Sequence, residues 1–310
     1  MSTANLSIII PTFNRKEILE KTLNAYLNQT SSQEIREILV VDDGSRDGTS
    51  DAVLEVSKDS SVPIRYFRQM ENRGPAATRN VGIREARGTI LLFGDDDIVP
   101  TPTLVAEHLS WHAMYPDIAV GVLGQVAFAP ELDPTPFMEW LGSDGPVCGF
   151  AKLSDGKEVG DECNYFGCTS VKACLLQKNM FFDEELRFYE DFELTFRLRK
   201  RGFRLLYNPR AMGYHYKWMT FSDAHRRAKA SALAFKTLET KEAGICLKEQ
   251  AKLKSSASRR AKRFKQLLKP LIHALRPPCL ALLPPVLDSQ IPLPWTAYRT
   301  LYRLLVEMTL

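Results

Sequence analysis

Leu92-Phe93-Gly94-Asp95-Asp96-Asp97 is the stretch that most strongly determines the fold prediction, because three carboxylates directly follow a short apolar run. The run Thr89–Phe93 predicts a buried strand. Three adjacent carboxylates at the end of such a strand repel one another where there is little water, and a divalent cation would relieve that repulsion. All-oxygen ligands suit Mg²⁺ or Mn²⁺. The stretch therefore predicts a metal site at a strand end, in preference to a solvated acidic turn.

Two earlier predicted strands also end in polar clusters. Leu6–Ile10 leads into P-T-F-N-R (Pro11–Arg15), and Ile38–Val41 leads into D-D-G-S-R-D-G-T (Asp42–Thr49). In an open α/β sheet, ligands bind at the carboxyl ends of the strands, so three such clusters together indicate a site. Taken singly, the first two have structural alternatives, because Asn14 is a good helix N-cap and Asp-Gly pairs form turns.

The rest of the chain alternates helical and strand patterns. Helices are predicted over Ala76–Ala86, Thr103–Met114 and Glu190–Arg201, and strands over Ile64–Phe67, Ala119–Phe128 and Phe203–Tyr207. Residues 129–165 are rich in Pro, Gly and Asp and predict loops. The alternation predicts an α/β fold with a parallel, doubly wound sheet. The sequence has neither G-x-G-x-x-G nor G-x-x-x-x-G-K-[ST], which argues against a dinucleotide-binding fold and a P-loop.

Two late elements have both a structural and a catalytic interpretation. Glu190 and Asp191 begin a predicted helix, where acidic residues favour the helix dipole, but a carboxylate there can also act as a general base. His215 lies in G-Y-H-Y-K-W, and a single histidine among aromatic residues is more often packed in a core than bound to a ligand.

The order of the motifs resembles that of glycosyltransferase family 2. The resemblance runs from about residue 5 to about residue 218 and rests on P-T-F-N-R, V-V-D-D-G-S, N-R-G-P-A-A-T-R-N-V-G-I, L-F-G-D-D-D, Y-E-D-F-E-L-T-F-R-L and a late histidine. It implies a GT-A-type doubly wound, mixed and mostly parallel sheet. It also implies a metal-dependent enzyme that transfers a sugar from a nucleotide sugar with inversion at the anomeric carbon. Gly94 departs from the family pattern, in which a larger apolar residue is usual.

The resemblance also implies roles for individual residues. Asp191 would be the general base, with Glu190 beside it in the acceptor site. Asp97, Asp95 and His215 would approach the metal, with Asp95 nearer the ribose. The nucleotide sugar would be bound by Pro11, Thr12, Asn14, Asp42, Asp43, Arg79, Asp95 and Asp96.

The resulting functional hypothesis is hexose transfer from a UDP- or dTDP-sugar to a glycan or glycolipid acceptor in polysaccharide biosynthesis. One alternative is a metal-dependent nucleotidyltransferase, which does not need a carboxylate base at a distant helix. Another is a non-catalytic sugar-nucleotide-binding protein, whose function does not need such a base.

The charge of +4 divides unevenly along the 310 residues. Residues 1–220 hold 24 basic and 31 acidic side chains, whereas residues 221–310 hold 17 basic and 6 acidic ones. We therefore predict a catalytic domain over 1–220 and a basic, Pro-rich, mainly helical extension over 221–310. Residues 247–269 place basic side chains beside an apolar helical stripe, a pattern that favours either peripheral contact with an anionic membrane or packing on the catalytic domain. Phe264 is the one aromatic residue among these charges, which is too few for base stacking, so nucleic-acid binding is disfavoured.

The localisation prediction rests on missing signals. The sequence shows no secretory signal at its start, and its apolar stretches are shorter than the roughly 20 residues of a membrane-spanning helix. Its six cysteines form no C-x-x-C pair. We expect a cytoplasmic protein, in contact with the cytoplasmic face of the membrane if the basic segment binds lipid.

Overall fold

A mixed eight-stranded sheet lies at the centre of the part of the chain that the computed structural model describes, residues 5–145, 149–160, 165–176, 180–247, 284–285, 287–290 and 292–307. The spatial order of the strands is β3-β2-β1-β4-β7-β6-β8-β5. Their bounds are β1 Leu6–Thr12, β2 Ile35–Asp42, β3 Ile64–Arg68, β4 Ile90–Gly94, β5 Ile98–Pro100, β6 Val120–Phe128, β7 Cys168–Lys172 and β8 Arg204–His215.

Helices cover the sheet and extend beyond it. They are α1 Lys16–Leu27, α2 Thr49–Lys58, α3 Pro75–Glu85, α4 Leu104–Met114, α5 Pro136–Ser143, α6 Ala173–Leu176, α7 Glu190–Arg199, α8 Phe221–Leu238 and α9 Trp295–Glu307. Within the described residues, no helix is long and apolar enough to cross a membrane.

The parallel half of the sheet aligns the first three polar clusters. In β1 and β2, Thr12 pairs with Asp42, and β1 pairs in parallel with β4 through Ile9 and Phe93. These strands are almost completely buried, which explains their continuous apolar sequences. As a result, the loops that follow β1, β2 and β4 lie at one edge of the sheet.

The other half of the sheet brings a distant histidine to the same edge. β7 runs antiparallel between β4 and β6, while β8 is parallel to β6 and antiparallel to the short β5. In the β5–β8 pair, Ile98 lies opposite His215. Ile98 directly follows Asp97 in the sequence. The register thus places His215 beside the three carboxylates.

The structure departs from the sequence predictions in several elements. The strands β5 and β7 and the helix α2 were not predicted, and β8 is longer than the predicted Phe203–Tyr207. The structural alternative for Asn14, a helix N-cap, is wrong. Asn14 has a positive φ of 51°, its side-chain oxygen accepts a hydrogen bond from the Arg46 amide at 2.8 Å, and Arg15 is the N-cap residue of α1.

A second hydrophobic core lies away from the sheet core and packs the helices α8 and α9 against α5. Phe137 and Trp140 of α5 pack there with Phe221 of α8 and Tyr298 of α9. The proposed boundary at residue 220 therefore crosses a packed cluster, and the division into two domains stays a prediction. The basic segment 247–269 lies, after Leu247, outside the described residues.

Candidate active site

The three carboxylates after β4 are tied to the loop after β1. The Thr12 hydroxyl donates a hydrogen bond to Asp96 Oδ2 at 2.8 Å. Nη1 of Arg15 contacts Asp96 Oδ1 at 2.8 Å and Asp97 Oδ2 at 2.5 Å. Arg15 belongs to the P-T-F-N-R motif, but the sequence did not indicate that it would neutralise two of the three carboxylates.

Asp96 and Asp97 have opposite pKa shifts. Burial raises the pKa of Asp96 to about 6, although Arg15 acts in the other direction. Burial also disfavours the charged form of Asp97, but hydrogen bonding and charge from His215, together with Arg15, hold its pKa well below the ordinary value. Of these two carboxylates, Asp97 is therefore the one that stays ionised, as a metal ligand must.

Asp97 and His215 can serve as a pair of metal ligands. Asp97 Oδ2 and His215 Nε2 are 3.3 Å apart. Two donors in neighbouring octahedral positions, each about 2.1 Å from a metal, are separated by about 3 Å, so the pair fits one divalent cation. Among the described residues, no group of three or more His, Cys, Asp or Glu is arranged to hold a metal ion. A cation here would need further oxygen ligands and would share Asp97 with Arg15.

Asp95 faces away from this pair. Its Oδ2 accepts a hydrogen bond from the Tyr165 hydroxyl at 2.8 Å, and its Oδ1 contacts Arg79 Nη2 at 3.1 Å. Arg79 is almost fully buried, and its Nη1 also contacts Glu190 Oε1 at 3.0 Å and Asp191 Oδ1 at 3.2 Å. This one guanidinium therefore connects the D-D-D cluster to the E-D pair, which are about 95 residues apart in the sequence.

Asp191 has the properties of a base that works near neutral pH. Burial raises its pKa to about 7, while the Arg79 charge and the Phe166 amide, which donates to Oδ2 at 3.0 Å, limit the rise. A general base works best when its pKa is close to the working pH. Asp191 is also adjacent to a strained turn, since Tyr189 has a φ of 68°.

The predicted nucleotide-binding residues divide into two groups. Asp43 lines the site cavity, and its carboxylate accepts hydrogen bonds from the amides of Arg73 and Gly74 at 2.7 and 2.8 Å. Asp42, in contrast, is 1% exposed and binds the Tyr66 hydroxyl and the Ser45 amide. Asp42 and Asn14 thus hold their loops in place.

One cavity of about 1150 Å³ joins most of the predicted residues. Its wall includes Pro11, Thr12, Asp43, Arg79, Asp95, Asp96, Glu190 and Asp191. It continues between α5, α8 and α9, where Trp140, Arg227 and Tyr302 line it. Sequence reasoning did not identify these three residues, because they come together only when the chain's end folds against α5.

Residues 7–137 match the family model described as glycosyl transferase family 2. This part of the chain belongs to glycosyltransferase family 2. Its relatives include an uncharacterized glycosyltransferase, YfnE, of Bacillus subtilis, which is 44% identical over 106 residues, or 34% of this chain and 26% of that protein. Chondroitin synthase of Escherichia coli is 27% identical over 269 residues, or 76% of this chain and 38% of that protein. The chain spans only 26% and 38% of the length of these two curated relatives.

Solved structures share the fold of this chain. The mannosyltransferase PcManGT of Pyrobaculum calidifontis, in complex with GDP-Man and Mn²⁺, has a TM-score of 0.64 at 20% identity, covering 98% of this chain and 86% of that one. TarS residues 1–349 of S. aureus, in complex with UDP-GlcNAc, has a TM-score of 0.57 at 20% identity, covering 74% and 66%. The mixed sheet with its flanking helices is the GT-A fold, as the resemblance implied.

Proposed function

We propose that the chain is an inverting glycosyltransferase that moves a sugar from a nucleoside-diphosphate sugar to a hydroxyl of a glycan or lipid-linked acceptor. The observation that carries the proposal is the arrangement around Arg79. This buried cation holds Asp95, at the end of β4, and Asp191, at the start of α7, on the wall of one cavity. Asp95, proposed to lie near the donor, and Asp191, proposed to accept a proton, thus line the same cavity.

The reaction requires one proton transfer and one displacement. The acceptor oxygen attacks the anomeric carbon from the face opposite the phosphate, and Asp191 takes the proton of the attacking hydroxyl. The bond to the phosphate oxygen breaks with its electron pair, and the nucleoside diphosphate leaves with the negative charge. Because the carboxylate acts on the acceptor and not on the sugar, no covalent intermediate forms and the anomeric configuration inverts.

Asp97 and His215 would hold a divalent Mn²⁺ or Mg²⁺, with phosphate oxygens among the remaining ligands. The metal would supply positive charge to the departing diphosphate. Arg15 lies beside that position and balances part of the negative charge of Asp96 and Asp97. The complexes of the two similar structures, one with Mn²⁺ and GDP-Man and one with UDP-GlcNAc, support a metal and a nucleotide-sugar donor. We propose UDP or dTDP as the nucleotide.

The acceptor class and the cellular location belong to the same proposal. A relative from Campylobacter jejuni, 41% identical over 93 residues, is a glucosyltransferase whose name includes an undecaprenol-linked glycan. A lipid-linked acceptor would suit a cytoplasmic protein that contacts the membrane through residues 247–269. Sedimentation with anionic liposomes at physiological salt tests this contact, and equal recovery in the supernatant with and without liposomes contradicts it.

Substitution of Asp191 and Asp97 tests the catalytic proposal. Asp191→Asn removes the base with little change in volume and should abolish transfer while binding of the nucleotide persists. Asp97→Ala should abolish the metal dependence of nucleotide binding. Glu55→Gln, on the exposed face of α2, is the matched control and should behave like the parent protein. Full transfer by Asp191→Asn refutes Asp191 as the base, and release of inorganic diphosphate in place of a nucleoside diphosphate indicates a nucleotidyltransferase.

A further inference from the structure

The cavity has a second part that the donor chemistry does not use. We call it the outer cavity and define it by Trp140, Lys152, Arg187, Arg227, Arg299 and Tyr302, all of which line the same space as Asp191. Three of these residues come from α8 and α9, which lie in the basic extension. The end of the chain therefore forms part of the wall of the proposed active site.

The charges of the inner site are balanced by side chains of the protein. Arg15 contacts Asp96 and Asp97, and Arg79 contacts Asp95 and both acidic residues of α7. Each inner cation thus lies against at least two carboxylates, and these two arginines carry no positive charge in excess of their partners.

The outer cavity, by contrast, has excess positive charge. Its acidic side chain is Asp144, which contacts Lys152 at 3.9 Å and also binds Arg299. Arg187 binds Asn72, a neutral residue, at 3.1 Å. Arg227 pairs with no carboxylate in the described part of the chain, and its guanidinium lies over the Phe188 ring, 5.5 Å from the centroid. Four cations therefore face one carboxylate.

The aromatic wall beside these cations is closely packed and has an unpaired hydrogen-bond donor. Trp140 is 2% exposed, stacks on Tyr298 with centroids 6.1 Å apart and contacts Tyr302 at 5.6 Å. Its Nε1–H has no acceptor within the described residues. A buried donor without a partner is unfavourable, so an acceptor atom brought by a ligand would be stabilising if the ring moves slightly to reach it.

We propose that the outer cavity binds the acceptor substrate through an acidic group, a phosphate or a carboxylate, that the acceptor carries near its attacking hydroxyl. Arg227 is the specificity-determining residue, because its fork of donors suits a planar or tetrahedral oxyanion and no carboxylate of the described chain occupies it. This inference rests on the proposed function. The inference goes beyond the proposed function by assigning the acceptor's charge and by giving the C-terminal extension a part in substrate choice.

Calorimetry on the full chain, saturated with UDP and Mn²⁺, tests the assignment with three probes. These are methyl glucoside, its 6-phosphate and the corresponding methyl glucuronide. A charge-assisted hydrogen bond contributes about 1.5–3 kcal/mol, so at least one acidic probe should bind at least about tenfold more tightly than the neutral one. The phosphate and the glucuronide distinguish the two acidic groups. Arg227→Gln should remove most of this preference, whereas UDP affinity should stay unchanged.

Arg226→Gln is the matched control, because Arg226 is the neighbouring residue on α8, is strongly exposed and pairs with Asp223 outside the cavity. It should keep the preference for acidic probes. The inference is overturned if neither acidic probe binds better than the neutral glycoside, or if Arg227→Gln weakens UDP and leaves the preference intact. Failure of the parent protein to bind either UDP or dTDP would instead contradict the proposed function, so the two failures are distinguishable.

Discussion

Position 94, directly before the three carboxylates, is expected to need a glycine because the Tyr26 hydroxyl leaves no room for a side chain. A Cβ atom added to Gly94 would lie 2.4 Å from Tyr26 Oη, well below the 3.0 Å at which neighbouring atoms must shift. The next contact, with Tyr26 Cζ, is 3.3 Å, so removing the hydroxyl leaves a tight but tolerable fit. Tyr26 is 2% exposed and has little room to move. Gly94→Ala should therefore cost about 1–3 kcal/mol of the free energy of unfolding, as overpacking does.

A double-mutant cycle with Tyr26→Phe measures this contact. Urea unfolding of the parent, Gly94→Ala, Tyr26→Phe and the double variant gives four free energies of unfolding. The double variant should be more stable than the sum of the single effects predicts, by about 1 kcal/mol or more, since the overlap exists only when both groups are present. Gly94→Ala alone should also weaken nucleotide binding, because the shifted strand end carries Asp95 with it.

Additivity is the result that would refute this reasoning. If the single effects sum to within about 0.3–0.5 kcal/mol, the two residues act independently and the steric account of Gly94 is wrong. A matched substitution, Gly202→Ala, separates the effects, because Gly202 has no atom within 4 Å of an added Cβ and only its φ of 82° opposes alanine. Its effect should not depend on Tyr26.

Three further predictions concern pH and positioning. In the pH profile of kcat/KM, activity should fall on the acidic side with an apparent pKa near 7, because burial raises the pKa of Asp191 and its protonated form cannot accept a proton. Asp191→Glu should shift this apparent pKa. Burial lowers the pKa of His108 to about 3 and of His112 to about 4, so the unfolded chain binds more protons and stability falls as the pH drops below about 6.5. Each histidine should account for roughly 2 kcal/mol between pH 7 and 4.5, measured by urea unfolding, and His108→Asn should reduce the pH dependence. The Ser231 hydroxyl donates to the Tyr189 hydroxyl at 2.6 Å, and Tyr189 directly precedes Glu190 and the proposed base Asp191. Ser231→Ala should therefore lower kcat several-fold with donor KM unchanged, and an equal change in donor KM would contradict a positioning role.

The parallel half of the sheet was predictable because its strands are buried on both faces. β1, β2 and β4 contain the apolar runs Ile8–Ile10, Ile38–Val41 and Ile90–Phe93, and the polar clusters that follow these runs meet at one edge. β7 has no such pattern. Its Thr169 and Ser170 are polar yet fully buried, and Ser170 is satisfied by His108 and His112 of α4, at 2.8 Å each. A sequence cannot show that a distant helix will supply those partners.

The same reason limits what the sequence indicated about the site. Arg79 occurs in an ordinary helical segment, and its place between Asp95 and Asp191 follows only from the packing of α3 against the sheet. Arg227 and Tyr302 fall within residues 221–310, which the sequence predicts to be a basic extension. Their position on the cavity wall depends on the aromatic cluster around Trp140. Local composition gave the extension's charge but not its location.

The shared use of Trp140 and Tyr302 limits how this protein can change its acceptor. Both residues belong to the second hydrophobic core and also line the cavity. A substitution of Trp140 or Tyr302 that reshapes the wall for a new ligand would also disturb the packing that keeps α9 in place. The same substitution would therefore change the acceptor specificity and lower the stability of the protein. New acceptors are therefore more easily accommodated by exchanging surface cations such as Arg227, which change the cavity's charge and leave its aromatic frame intact.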